Sequence, residues 1–414
     1  MSSRTGRQRA ALWCTAGVLA FLCLADGIVF SQKNDPRRTE RLKMVEQCIK
    51  REGIKNPRVL DAMRQVPRHE YVDEKERKHA YVDCALPIGH KQTISPPFVV
   101  AYMTETIDPQ PDDRILEIGT GSGYQASVLA NLCKEVYSIE IVEPLGRQAA
   151  ERLKKLGYAN VTTKVGDGYL GWAEYAPFDK IIVTCSPENV PQPLIDQLKD
   201  GGRLLVPLGE RYQQVFHMFE KKDGKLVSTR LIPTLFVPMT GQSEDLRRVK
   251  PEPLRPTLLN GSFEEDDDAD GRPDHWHYQR LMTVDTKDVS DGKKSALFEC
   301  DTPGRVSQAL QAMAIDGSKI AALNFEIDYK TEGVVVGKES YEMPALIVHF
   351  YDANRKDFDQ VKIGPWQGTT GDWRTSERTI VVSPKAREMI LRVGLNGATG
   401  KLWVDNVKMT FKPR

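Results

Sequence analysis

Residues 114–124, RILEIGTGSGY, constrain the fold of this chain more than any other part of its sequence. Ile115, Leu116 and Ile118 make the short apolar run that a buried parallel strand needs. Three glycines follow at alternate positions, and a helical pattern then runs over 125–132. A strand, a glycine turn and the start of a helix make a place where backbone can approach a ligand closely, because no Cβ atom intervenes.

Two further predicted strands carry an acid at or just past their carboxyl ends. Residues 135–140 are a mainly apolar run that ends in Glu140, about 20 residues beyond the glycines. Residues 161–165 are another run, and Asp167 follows between two glycines. The two carboxylates are placed to accept hydrogen bonds from a ribose diol and an adenine amino group. The alternative is that both are solvated loop acids. That interpretation is the weaker one, because two acids stand in register after a glycine turn.

Length and charge restrict the class of protein. The chain has 414 residues, so we expect two folded units. Lys and Arg total 58 against 57 for Asp and Glu, and this balance argues against a nucleic-acid-binding surface. Strand and helix patterns alternate as far as the strand at 203–208, and Asp223-Gly224 then predicts an antiparallel hairpin. This order predicts an α/β fold with a doubly wound mixed sheet, preceded by an N-terminal helical subdomain.

A change of pattern marks a second domain. Residues 248–256 are rich in proline and predict a linker. Beyond this segment, apolar residues alternate with other residues at 323–329, 346–350 and 389–395. Alternating strands punctuated by Gly and Asp predict an all-β sandwich over 257–414.

The ends of the predicted sandwich, 260–265 and 400–407, resemble those of carbohydrate-binding jelly rolls. The resemblance implies that carbohydrate is a candidate partner. Trp276, Trp366 and Trp373 are candidates for stacking on sugars. Packing in the core or at an edge is the expected role of at least two of these three tryptophans.

An acidic turn in the same region is a candidate metal site. Asp266, Asp268 and Asp270 precede Gly271, which matches the start of a calcium-binding D-x-D-x-D-G loop. The glutamate at the twelfth position of such a loop is missing here. Calcium binding and a solvated acidic turn are therefore two open alternatives.

The first 31 residues have the pattern of an export signal. Arg4, Arg7 and Arg9 precede an apolar segment at 10–24, which is short for a membrane-spanning helix. We expect residues 1–31 to be a cleaved signal peptide or an uncleaved membrane anchor, and the protein to be exported or envelope-anchored. Membrane contact would then occur only through this segment. A buried N-terminal helix is the third alternative.

Five motifs in order carry a resemblance to a known family. They lie at 86–89 (LPIG), 92–95 (QTIS), 116–124 (LEIGTGSGY), 166–168 (GDG) and 237–240 (VPMT). Over residues 39–241 the chain resembles protein-L-isoaspartate O-methyltransferases. The resemblance implies a sheet of class I methyltransferase type in a domain at 32–247. It also implies methyl transfer from S-adenosylmethionine to isoaspartyl carboxylates of damaged proteins or peptides, which initiates repair.

The resemblance implies roles for individual residues, beginning with Ser95 as the active-site serine. The residues implied to bind S-adenosylmethionine are Glu117, Gly119, Thr120, Gly121, Gly123, Glu140, Asp167 and Gly168. Those implied to border the isoaspartyl substrate are Leu86, Pro87, Ile88, Gly89, Thr93 and Thr240. A carboxylate of pKa about 4 is already ionised at neutral pH and needs no general base. We therefore expect Ser95 to orient the acceptor, with capping of the helix that follows Pro97 as the alternative.

Two other functions stay open at this point. One is methyl transfer to a different carboxylate acceptor, and the other is surface binding by a protein whose methyltransferase core is inactive. The intact glycine turn, Glu140, Asp167 and Ser95 argue against an inactive core. Members of the family are typically cytoplasmic single domains, so the leader and the β module are departures from it. If the family's usual location holds, the protein is cytoplasmic.

Overall fold

The computed structural model describes residues 35–414. The predicted leader at 1–31 lies outside this range. Within the described range, no helix is both long and apolar enough to cross a membrane.

The described part of the chain begins with the predicted helical segment. Helix α1 (Arg38–Met44) continues into a π-helical stretch (Val45–Lys50), and α2 (Pro57–Gln65) follows. The Asn56 side chain accepts a hydrogen bond of 3.0 Å from the backbone N–H of Arg58, with proline in the first turn, as the sequence predicts. Short 3-10 helices follow at Arg68–Tyr71 and Glu74–His79.

A two-stranded hairpin replaces the irregular loop predicted for this region. Strands β1 (Leu86–Gly89) and β2 (Gln92–Ile94) pair antiparallel. His90 and Lys91 join them with φ angles of 51° and 63°, the left-handed backbone of a tight hairpin turn. The prolines misled the prediction, because Pro87 is tolerated where a strand has a partner on one side only. The helix predicted after the hairpin is α3 (Pro97–Ile107).

The central sheet follows the predicted order. Its strands are β3 (Arg114–Ile118), β4 (Glu135–Glu140), β5 (Val161–Val165), β6 (Phe178–Val183), β7 (Leu198–Glu210), β8 (Gln213–Lys222) and β9 (Lys225–Thr234). They pair in the order β5-β4-β3-β6-β7-β8-β9, with parallel pairing up to β7 and antiparallel pairing beyond it. The doubly wound mixed sheet is therefore confirmed. The remaining helices are α4 (Tyr124–Ala130), α5 (Glu143–Lys155), α6 (Gln192–Gln197) and α7 (Gln242–Asp245), with 3-10 helices at Gly168–Leu170 and Ala173–Tyr175.

The C-terminal region is a β-sandwich, as predicted. One antiparallel sheet contains β10 (His277–Arg280), β13 (Gln308–Ala314), β18 (Glu388–Gly394), β15 (Ala345–Tyr351) and β16 (Asp357–Ile363), in that order. The other contains β11 (Met282–Asp285), β12 (Ser295–Cys300), β19 (Thr399–Pro413), β14 (Ile320–Val335) and β17 (Arg374–Val381). Both sheets contribute to one apolar core. Trp276 and Trp366 are buried in that core, whereas Trp373 is half-buried.

Polar contacts join the sandwich to the rest of the described chain. Arg305 donates to Glu52 Oε1 from Nη2 at 2.5 Å and from Nε at 3.0 Å. The Tyr212 hydroxyl donates to Glu388 at 3.2 Å, and the Tyr212 carbonyl lies 2.9 Å from His277 Nε2. Residues 248–256 contain neither helix nor strand. The domain boundaries at 247 and 257 stay a prediction.

Candidate active site

A solvent-open cavity of about 790 Å³ lies at the carboxyl edge of the parallel strands. Ile118 ends β3, Glu140 ends β4, and Thr184 follows β6, and all three line the cavity. The hairpin segment 92–95 and the segment 237–240 form other parts of its wall. The cavity therefore occupies the crevice where doubly wound sheets bind ligands.

Two glycines on the cavity wall have no room for a side chain. Gly119 has a φ of 98°, and a Cβ atom there would lie 2.5 Å from Thr184 Oγ1. A Cβ on Gly168 would collide with the Ile118 side chain. Gly119 and Gly168 both line the cavity, so each supplies bare backbone where a ligand can approach closely.

Glu140 is a fixed acceptor on the cavity wall. Its carboxylate is buried, and Oε2 accepts a hydrogen bond of 2.8 Å from the N–H of Gly121. Oε1 accepts a second, of 2.9 Å, from the N–H of Val142. Backbone on both sides holds the carboxylate, and each oxygen keeps a lone pair for a ligand hydroxyl. This arrangement suits the ribose-binding role that the sequence predicts for Glu140.

Glu117 lies beneath the glycine turn and does not line the cavity. It is fully buried, its Oε2 accepts from the Ser138 hydroxyl, and its Oε1 has no partner among the described residues. Ser138 Oγ lies 2.6 Å from Thr120 Oγ1, on the cavity wall. Burial raises the pKa of Glu117 to about 8, with the Ser138 hydrogen bond opposing and the Glu140 charge reinforcing the rise. Glu117 was predicted to contact the cofactor together with the glycine turn. The structure places it behind that turn instead.

Two other predicted cofactor residues are not part of the cavity wall. Asp167 is held by backbone, since Oδ1 accepts from the N–H of Tyr169 and Oδ2 from that of Gln242, both at 2.9 Å. A Cβ on Gly123 would lie 3.3 Å from Leu153, so this glycine allows helix packing. Thr120 and Gly121, which are also predicted to bind the cofactor, do line the cavity.

Ser95 lines the cavity with an uncommitted hydroxyl. It is half-buried, and its hydroxyl makes no hydrogen bond within the described residues. The start of α3 is instead served by Asp83, whose Oδ1 accepts a hydrogen bond of 2.9 Å from the N–H of Phe98. No serine side chain caps the helix, so the capping alternative for Ser95 is wrong.

The predicted substrate-binding residues divide into two groups. Thr93 and Thr240 line the cavity. Leu86, Pro87, Ile88 and Gly89 form β1, away from the cavity wall. The Ile88 side chain lies 3.4 Å from where a Cβ on Gly121 would be, so the hairpin packs against the glycine turn.

Several cavity residues escaped the sequence prediction. Gln125 lines the cavity, donates to Thr104 Oγ1 at 2.9 Å, and has a buried Oε1 without a partner in the described chain. Thr184 and Cys185 follow β6 and line the cavity as well. The rule that ligands bind at carboxyl strand ends would have found the last two. Gln125 directly follows the glycine motif, but nothing in the pattern indicates where its amide points.

The three aspartates of the acidic turn come together. Oxygen atoms of Asp266, Asp268 and Asp270 lie within 4.8 Å of one another. Asp266 accepts from the N–H groups of Asp270 at 3.1 Å and Gly271 at 3.3 Å. Arg230 forms an ion pair with Asp268 and so competes with a cation for that carboxylate.

Comparison with known proteins gives a consistent result. The family model "Protein-L-isoaspartate(D-aspartate) O-methyltransferase (PCMT)" matches residues 39–244. The Protein-L-isoaspartate O-methyltransferase of Opitutus terrae is 51% identical over 223 residues, covering 54% of this chain and 96% of that protein. Protein-L-isoaspartate O-methyltransferase 1 of Cupriavidus necator is 53% identical over 189 residues, covering 45% of this chain and 73% of that protein.

Solved structures include similar chains. A putative protein-L-isoaspartate O-methyltransferase of Plasmodium falciparum, in complex with S-adenosyl-L-homocysteine, is 28% identical with a TM-score of 0.44, covering 48% of this chain and 98% of that one. The sequence identities extend over nearly the full length of the Opitutus relative. The chain belongs to the protein-L-isoaspartate O-methyltransferase family.

Proposed function

We propose that this chain transfers the methyl group of S-adenosylmethionine to the free carboxylate of isoaspartyl residues in damaged proteins or peptides, which initiates their repair. The observation that carries the proposal is that Ser95 and Glu140 line one cavity in a chain 51% identical to a named protein-L-isoaspartate O-methyltransferase. The acceptor group and the cofactor would therefore meet in one crevice.

The cavity wall suits S-adenosylmethionine. Glu140 accepts from two backbone amides and has lone pairs left for ribose hydroxyls. Gly119 and Gly168 bring bare backbone to the cavity wall, at positions where a Cβ atom would collide with Thr184 or Ile118. When bound, S-adenosylmethionine supplies an electrophilic methyl group on its sulfonium. Glu140, Thr120 and these glycines are the residues that would hold it.

The acceptor needs orientation more than activation. An aspartyl carboxylate has a pKa of about 4 and is ionised at neutral pH, so no side chain has to remove a proton. The free hydroxyl of Ser95 donates a hydrogen bond to one carboxylate oxygen and leaves the other to attack. Apolar wall residues such as Ile94 and Met239 exclude water, which favours a fixed approach.

Paired substitutions test these roles separately. We expect Ser95→Ala to lower kcat for an isoaspartyl peptide at least about tenfold, because the acceptor loses its orienting donor, with the Kd of S-adenosylmethionine nearly unchanged. Glu140→Gln should weaken cofactor binding by roughly 1.5–3 kcal/mol, the value of a charge-assisted hydrogen bond. Methyl transfer from radiolabelled cofactor measures the first, and calorimetry the second.

The matched control is the same peptide with a normal aspartyl bond, which the wild type should not methylate. Transfer to the isoaspartyl peptide by Ser95→Ala at the wild-type rate would remove the assigned role. Tight cofactor binding by the wild type without transfer would favour another carboxylate acceptor. Failure to bind the cofactor at all would favour a surface-binding protein with an inactive core.

We further propose calcium at Asp266, Asp268 and Asp270 of the accessory module. Three carboxylates at alternate positions suit a hard cation, and their oxygen atoms are already within 4.8 Å of one another. Carbohydrate binding by this module rests on the resemblance and on Trp373, the one of the three tryptophans outside the apolar core. Export or envelope anchoring rests on the pattern of residues 1–31.

A further inference from the structure

Arg280 reaches from the β-sandwich into the methyltransferase region. It ends β10 and is 7% exposed. Its guanidinium carbon lies 3.5 Å from the centre of the Phe98 ring and 4.7 Å from that of Tyr278. The cation thus lies over two aromatic rings, and the cation–π attraction is stronger when water is excluded.

Asp83 connects Arg280 to the first turn of α3. Its carboxylate is 5% exposed, and Oδ2 lies 4.0 Å from Arg280 Nε. Oδ1 accepts the N–H of Phe98, one of the donors that a helix start leaves without an intrahelical partner. Burial raises the pKa of Asp83, and Arg280 is the strongest of the opposing influences, ahead of the Phe98 N–H and Arg68. A buried carboxylate loses much of its stabilisation if its cation is removed.

The segment between Phe98 and Ser95 is stiff. Pro96 and Pro97 separate the two residues, and proline fixes φ near −65°. A shift of the Phe98 backbone therefore moves Ser95 instead of being absorbed by the intervening chain. Ser95 in turn lies on the cavity wall with its hydroxyl free.

We propose that Arg280 is a positioning residue for methyl transfer: through Asp83 and Phe98 it fixes the start of α3 and thereby Ser95 at the cavity wall. This inference deepens the proposed function and rests on it. It gives the accessory module a part in the reaction, since the module supplies a side chain on which the acceptor site depends.

Two variants and one control test the proposal in the full-length protein. Arg280→Met keeps the bulk and removes the charge, whereas Arg280→Lys keeps a cation that can still face both rings. Arg305→Met removes the partner of Glu52, another contact between the sandwich and the N-terminal region, with no hydrogen bond to α3. A purely structural role predicts that Arg280→Met and Arg305→Met behave alike.

We expect Arg280→Met to lower kcat/KM for an isoaspartyl peptide about tenfold, with the Kd of S-adenosylmethionine within about twofold of wild type, because a small misplacement of a reacting group suffices for such a loss. Arg280→Lys should recover most of the activity, and Arg305→Met should leave kcat/KM unchanged. Asp83→Asn should reproduce the effect of Arg280→Met, and the double variant should add little to it, as expected for one connected unit.

Amide hydrogen exchange over residues 95–103 gives a readout that does not depend on activity. It should become faster in Arg280→Met and stay at the wild-type rate in Arg305→Met. If Arg280→Met fails to fold, Asp83→Asn carries the same comparison with Arg305→Met. Unchanged exchange in this segment together with unchanged kcat/KM would overturn the inference. A wild type that does not methylate the peptide refutes the proposed function instead. The exchange data still report on whether Arg280 and Asp83 hold the start of α3.

Discussion

The buried carboxyl group of Glu117 should make the stability of this protein depend on pH. The group titrates with a pKa of about 8 in the folded chain, against a reference value of 4.5. The folded state therefore holds a proton that the unfolded state has released, over the whole interval between these two values. Stability is greatest below the lower pKa and declines as pH rises towards the upper one.

The size of this loss of stability follows from the difference between the folded and unfolded pKa values of Glu117. Each pKa unit corresponds to about 1.4 kcal/mol, so ionisation of Glu117 in the unfolded chain removes about 4 kcal/mol of unfolding free energy between about pH 5 and about pH 8. Glu117→Gln mimics the protonated acid, because its amide can donate to Ser138 Oγ and carries no charge. We expect the variant to lack this pH-dependent loss and to be more stable than wild type by about 4 kcal/mol at the upper end.

Urea denaturation of both proteins across this pH range measures the effect. The quantity to follow is the difference in unfolding free energy between variant and wild type, since other titrating groups contribute equally to both. Ser138→Ala serves as a second test, because losing a hydrogen bond that lowers the Glu117 pKa should extend the decline to higher pH, while its start, set by the unfolded chain, stays in place. Parallel pH profiles for Glu117→Gln and wild type would refute the assigned pKa and the burial on which it rests.

Two further predictions concern regions outside the catalytic crevice. Millimolar calcium should raise the melting temperature of the full chain, and Asp270→Asn should abolish the rise; an equal rise in both proteins, or none in wild type, would favour the solvated acidic turn. Mass spectrometry of the protein from its native cells should find it without residues 1–31 or in the membrane fraction, and an intact N-terminus on soluble cytoplasmic protein would exclude both forms of export.

The cofactor half of the site was predictable because its parts follow one another in the sequence. Each strand end carries its own marker, and the apolar runs that end at Ile118 and Glu140 correspond to β3 and β4. The pattern could not show which of the acidic side chains reaches the cavity and which lies beneath its wall. Glu117 lies beside Ser138 in the sheet, so Glu140, two residues beyond Ser138, is on the same face but nearer the carboxyl edge, and only Glu140 lines the cavity.

The substrate half depends on contacts between distant segments, and this is why the prediction was weaker there. Ser95 precedes a proline and a helix, so its sequence context favours a cap as strongly as a catalytic role. The structure assigns the cap to Asp83, which is 15 residues before Phe98 in the chain. The Asp83 carboxylate lies 4.0 Å from Arg280, a residue of the β-sandwich. Because Asp83 satisfies the Phe98 amide, the Ser95 hydroxyl is left without a partner and is available to an acceptor. The helix start and the acceptor site thus use different side chains, and the one that frees the serine lies beside Arg280 of the β-sandwich.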